Sequence, residues 1–248
     1  MPTANAENNF VSRAEGKLEG AVRAFRYDFR DKTVLDIGSS TGGFTELALK
    51  LGAKRVFAIE KGSRQMKAPL RFDSRISLHE KTDFFDVVLC GDAAPIREPA
   101  VLPNSSSVTR GVEMPSGIST PAALRLYSSE LDKNAGSLVQ QRQNVCVPVV
   151  DTIVADVSFV SLTRILKHAR MFADQRTDFL VMLKPQFEAR PQQLWKGVVK
   201  NEKMRREIIK GFEIWLKQNG FIVLGKRDNE VFGKNGNQER FYHLKIAK

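Results

Sequence analysis

The 248-residue sequence predicts an α/β fold: a mostly parallel, seven-stranded sheet with helices on both faces. Three observations carry that prediction. Short apolar runs recur along the chain, each suited to a buried strand. Segments with apolar residues at i, i+3, i+4 and i+7 lie between them, and strand–helix alternation of this kind builds a parallel sheet. One junction, Thr33-Val-Leu-Asp36-Ile-Gly38-Ser39-Ser-Thr-Gly42-Gly43-Phe44-Thr45, passes from an apolar strand through a glycine turn into a helix.

Residues 1–11 are polar and are expected to be flexible. Ser12 is placed to cap a first helix, with Glu15 completing a capping box and Leu18, Ala21, Val22 and Phe25 on one face. The strand at Val34–Ile37 follows, then a helix from about Phe44 to Leu51, stopped by Gly52. Arg55 to Glu60 reads as a second parallel strand ending in an acid. Ser63 to Phe72 suggests a short helix broken near Pro69, and Arg75 to His79 a third strand. Residues 87–148 then break the rhythm. They are rich in Ser, Pro and Gly, and read as an insertion that begins with a possible strand, Val87 to Asp92, and holds one possible helix, Pro121 to Leu131.

Regularity returns with a strand ending at Asp156, a helix capped by Ser158 or Ser161, and an apolar strand from Asp178 to Leu183. Lys184-Pro-Gln-Phe-Glu188 stands at the end of that strand. Asn201 caps a long helix with Met204, Ile208, Phe212, Trp215 and Leu216 as its core face. Phe221 to Leu224 and Arg240 to Ile246 make a final antiparallel pair. The domain reading is one unit over residues 12–248, interrupted by the 87–148 segment.

Lys and Arg number 39 against 28 Asp and Glu, a net charge of +11. The insertion's five basic residues balance its five acids, so the excess sits on the rest of the chain. A basic surface favours a polyanion, and nucleic acid is the first candidate. Two cysteines without C-x-x-C spacing, Cys90 and Cys146, suggest neither a metal site nor a disulfide framework. No apolar run approaches a membrane span and no leader pattern opens the chain, so a cytoplasmic protein without membrane contact is expected.

A strand that ends in glycines and feeds a helix brings backbone N–H groups close to a ligand. The spacing is not G-x-G-x-x-G, so a dinucleotide is not the expected guest. Asp36-x-Gly38 followed by Gly42-Gly43 resembles the first motif of S-adenosylmethionine-dependent methyltransferases. The candidate cofactor-binding residues are Asp36, Gly38, Ser39, Gly42, Gly43 and Phe44 at this corner. Glu60 is placed to accept the ribose hydroxyls and Asp83 the adenine amino group. Asp156 closes the set.

Four stretches together resemble one family: Val11 to Leu18, Val34 to Thr45, Ala155-Asp-Val-Ser-Phe-Val-Ser-Leu162, and Leu183 to Glu188. They are similar to the hemolysin-A-type (TlyA) ribosomal RNA 2′-O-methyltransferases, a branch of the FtsJ-like class. The resemblance implies a Rossmann-like methyltransferase fold, S-adenosyl-L-methionine as cofactor, and RNA, ribosomal RNA or a ribosomal subunit, as partner. It implies a catalytic tetrad of Lys17, Asp156, Lys184 and Glu239, the last on the pattern Gly236-Asn-Gln-Glu239. A ribose hydroxyl attacks only as its proton leaves, and a lysine takes that proton only when its charged form is disfavoured by a neighbouring cation or by burial. Lys184 is the expected base. Most of the family begins with an S4-type RNA-binding module, for which there is no room before Ser12.

Two other classes compete: a non-catalytic RNA-binding or ribosome-assembly factor on the same fold, and a hemolysin-like membrane-active protein. Cofactor binding without methyl transfer favours the first. A small-molecule methyltransferase is a third, which does not need the charge. Oligomeric state is not legible in the sequence.

Overall fold

The computed structural model describes residues 13–91, 145–230, 233 and 236–247. The first helix, α1, spans Arg13–Phe25. Strand β1 (Thr33–Ile37) leads into α2 (Gly43–Lys50), followed by β2 (Arg55–Ile59) and β3 (Ile76–His79). Two short strands, β4 (Val88–Leu89) and β5 (Cys146–Val147), precede β6 (Thr152–Ala155) and α3 (Leu162–Ala169). Then come β7 (Asp178–Leu183), α4 (Pro185–Glu188), the hairpin β8 (Leu194–Trp195) and β9 (Val198–Val199), α5 (Glu202–Gln218), β10 (Phe221–Asp228) and β11 (Arg240–Ile246).

Seven of these strands form one sheet in the order β10-β11-β7-β6-β1-β2-β3. β1, β2, β3, β6 and β7 run parallel, whereas β11 is antiparallel to both β7 and β10. Side chains alternate across a strand, so a central strand must be apolar on both faces. Leu35, Ile153, Phe179 and Val181 pack under α3 and α5. Their neighbours Val34, Val154, Leu180 and Met182 pack under α1 and α2. That two-sided demand explains the near-continuous apolar runs of the sequence.

Several expectations are corrected. Ser63 to Phe72 is a series of bends ending in a 3₁₀ turn at Leu70–Phe72, with a cis bond before Pro69. Val87 to Asp92 is no strand of the main sheet. Only Val88 and Leu89 are extended, and they pair in parallel with Cys146 and Val147. That pairing brings Cys90 and Cys146 together in a disulfide, Cα atoms 5.0 Å apart, across 56 positions of sequence. Spacing along the chain gave no sign of it. β10 runs four residues further than its apolar run, because Gly225 to Asp228 keep pairing with β11. Arg205 is buried on the core face of α5, bonded to Asp228 and to the Gln238 carbonyl. Ser12, residues 1–11, Asp92 and the 121–131 helix lie outside the described residues.

Candidate active site

The strand order reverses beside β1, between β2 and β6, and in such sheets the crevice beyond the carboxyl ends holds the ligand. A cavity of about 830 Å³ opens there. Gly38, Ser40, Glu60, Asp83, Asp156 and Phe159 contribute to its wall, with Phe84, Phe85 and Ile165 at an apolar side. Gly38 has φ +81°, and its N–H reaches the Ile59 carbonyl at 2.9 Å. A Cβ there would stand 3.2 Å from the Asp156 carbonyl oxygen, so glycine lets β1 and β6 end side by side.

Glu60 follows β2 directly. One carboxylate oxygen accepts from Ser40 N at 2.8 Å and the other from Gly62 N at 2.6 Å. These bonds fix the carboxylate at the wall and leave further lone pairs for a ligand. Asp83 accepts from Lys61 Nζ at 2.9 Å and from Phe85 N, and the Lys61 contact holds its carboxyl below the usual range.

The glycine corner differs from the contact surface that its sequence suggests. Asp36, Ser39, Gly42, Gly43 and Phe44 do not line this cavity. Phe44 turns toward Phe241 on the α1–α2 side of the sheet. Gly42, at φ +95°, lies under Leu70 and Met66, whose side chains occupy the space a Cβ would take. Asp36 is fully buried and accepts from Thr45 Oγ1 at 2.7 Å, while its other oxygen has no hydrogen-bond partner. Burial pushes its carboxyl up to about 7. Of the six corner residues, Gly38 lines the cavity.

Two ion pairs stand at neighbouring strand ends. Lys184, just after β7, places Nζ 2.6 Å from Asp156 Oδ1 and donates to Ser158 Oγ at 2.9 Å. The Asp156 contact is an ion pair, made on a buried carboxylate oxygen. Lys17 of α1 donates to Glu239 Oε2 at 2.5 Å. The ladder pairs Arg240 with Leu183, and one step further sets Glu239 opposite Lys184. Asp156 and Lys184 both line the cavity.

The sequence reading missed the groups that hold these ends. Glu188 accepts from Leu162 N at 2.6 Å and Ser161 Oγ at 2.7 Å, binding the chain after Lys184 to the start of α3. Burial raises its carboxyl. Asn237 and Arg205 secure the segment that carries Glu239. Closeness in sequence to the motif residues was the signal for Glu188 and Asn237, and Arg205 offered none. Among the described residues, no cluster of His, Cys, Asp and Glu suits a metal ion.

A parallel sheet closed by an antiparallel last strand, with an acid-rimmed cavity at its switch point, defines a Rossmann-like methyltransferase. The chain belongs to the FtsJ-like methyltransferase family, which it matches over residues 10–246. It is 30% identical to YqxC of Bacillus subtilis over 95% of its own length and 65% of YqxC. It is 28% identical to the 16S/23S rRNA (cytidine-2'-O)-methyltransferase TlyA of Mycobacterium tuberculosis, covering 97% of this chain and 70% of that one. The match to Hemolysin A of Brachyspira hyodysenteriae is also 28%, over 96% and 77%. The chain thus spans about two thirds to three quarters of these relatives. A crystal structure of a hemolysin-type protein from Lactococcus lactis superposes with a TM-score of 0.70, at 28% identity, covering 96% of this chain and 89% of that one.

Proposed function

We propose that this protein transfers a methyl group from S-adenosyl-L-methionine to a ribose 2′-hydroxyl of ribosomal RNA. Two ion pairs carry the reading: Lys184–Asp156 in the cavity wall, and Lys17–Glu239 at the end of the neighbouring strand β11. The cavity suits a nucleoside: an acid at the end of β2 and an apolar side formed by Phe84, Phe85 and Ile165.

Glu60 would hold the donor's ribose hydroxyls and Asp83 its adenine edge, with Gly38 keeping the backbone low beneath it. The donor supplies a sulfonium-bound methyl group. Lys184 Nζ is the group placed to take the proton of the attacking 2′-hydroxyl. Asp156 and Ser158 fix that amine in place. Lys17 and Glu239 orient the acceptor ribose from α1 and the head of β11. In-line displacement needs little further covalent help from the protein, so positioning supplies much of the acceleration.

The family relatives named for rRNA cytidine 2′-O-methylation and the charge of +11 both support RNA as substrate. Among the described residues, no helix is long and apolar enough to cross a membrane. Incubating the protein with rRNA and labelled S-adenosyl-L-methionine, then mapping the modified nucleotide, tests the proposal. Labelled 2′-O-methyl ribose is expected, and donor binding without label in any RNA favours an assembly factor instead.

A further inference from the structure

The β8–β9 hairpin lies outside the cavity and is absent from the catalytic account. Its two central residues, Lys196 (φ +49°) and Gly197 (φ +78°), make the tight reverse turn that suits a two-residue hairpin. Trp195 stands on it with 67% of its surface exposed. An aromatic ring of this size left in water is informative, because the same ring buried in the core contributes strongly to stability. The Lys196 ammonium lies 5.9 Å from the ring centroid.

The hairpin is tied to the catalytic segment. Asn237, buried and two residues before Glu239, accepts from Val199 N at 3.1 Å and donates from Nδ2 to the Gly197 carbonyl at 3.0 Å. A hollow of about 160 Å³ is lined by Val198, Val199, Asn237 and Pro185, the residue after Lys184. Charge is one-sided here: residues 190–206 carry six Lys and Arg against one acid, Glu202. Arg190, Lys196, Lys200, Lys203 and Arg206 are all exposed.

We infer that this hairpin is a docking platform for single-stranded RNA flanking the target nucleotide, with a base stacked on Trp195 and phosphates held by Lys196 and Lys200. The inference rests on the RNA substrate proposed above. Stacking on an exposed aromatic accepts any base, and neighbouring lysines track the backbone without reading sequence. The bond pair through Asn237 makes the platform rigid relative to Glu239, so a strand seated on it is held in register with the reacting ribose. A protein partner is the less suited occupant, because the exposed ring stands among cations without an apolar surround.

Affinity for a single-stranded ribo-oligonucleotide is measured for the full chain, Trp195→Leu and the pair Lys196→Gln/Lys200→Gln, with inorganic polyphosphate as a base-free polyanion. Trp195→Leu is expected to lose about tenfold in RNA affinity while polyphosphate binding, S-adenosyl-L-methionine binding and melting temperature stay put. The lysine pair is expected to weaken both polyanions and to lower the log–log salt slope by about 1.4. If Trp195→Leu binds and is methylating RNA like the parent, the platform is overturned while the methyltransferase reading stands. If it loses RNA, polyphosphate and thermal stability together, the tryptophan is a structural residue and the inference falls. If the parent chain neither binds nor methylates RNA, both readings fail.

Discussion

Lys17 and Glu239 stand 222 residues apart in sequence and meet at 2.5 Å, the lysine side chain 12% exposed and the glutamate 4%. Both charges have been taken out of water, and each depends on the other for compensation. The pair ties α1 to the start of β11, the strand that neighbours β7.

Breaking that pair from one side should leave a buried carboxylate uncompensated. Lys17→Met is expected to lose about 3–5 kcal/mol of stability in denaturant titrations. The double variant Lys17→Met/Glu239→Gln should recover much of that stability while methyl transfer stays low. A double variant with restored activity would assign the pair to stability alone.

Removing the proposed base should separate chemistry from binding. Lys184→Ala is expected to slow single-turnover methyl transfer about 10²–10⁴-fold, with donor affinity by calorimetry close to the parent value. Lys184→Arg should be as slow, since a guanidinium does not give up its proton near neutral pH. A native rate in either variant rules out the role.

Gly38 is constrained twice, by φ +81° and by the Asp156 carbonyl 3.2 Å from any added Cβ. Gly38→Ala is expected to destabilise the fold by about 1–2 kcal/mol from the left-handed backbone alone. Parting β1 from β6 should also weaken donor binding. Thermal melts and a donor titration check both effects.

Asp36 gives stability a pH dependence. Its carboxyl, ordinarily near 3.8, is raised to about 7 by burial, with Asp156 and Glu60 adding to the shift. Between those values the folded protein holds a proton that the unfolded chain has released. Stability therefore falls as pH rises from about 4 to about 7 and levels off above. Asp36→Asn keeps a group able to accept from Thr45 and cannot ionise, so its stability curve should be flatter by roughly 4 kcal/mol across that window. An unchanged slope in urea titrations at pH 5 and pH 8 would contradict this.

The disulfide is open to a direct test. Cys90→Ser, or reduction of the parent, frees a loop closed across 56 positions and is expected to lower stability by about 2–4 kcal/mol. Donor binding should change little, because Cys90 and Cys146 do not line the cavity.

The sequence by itself determined the layers and the position of the cavity. Central strands are buried on both faces, so Val34–Ile37, Thr152–Ala155 and Asp178–Leu183 are apolar apart from Asp36, Thr152 and Asp178, and that is visible in one dimension. Residues directly after those strands, Gly38, Asp156 and Lys184, were legible for the same reason, since a strand's end is set by local composition. What only the tertiary structure decided depends on pairing across the chain. Lys17 and Glu239 were grouped beforehand only through the family resemblance; Cys90 with Cys146 and Asn237 with the Trp195 hairpin are contacts between distant segments, and no local pattern encodes a partner dozens of residues away. The glycine corner shows the same division at close range. Its turn was readable, but whether Gly42 faces a ligand or Leu70 depended on a segment 28 residues further on that packs back over it.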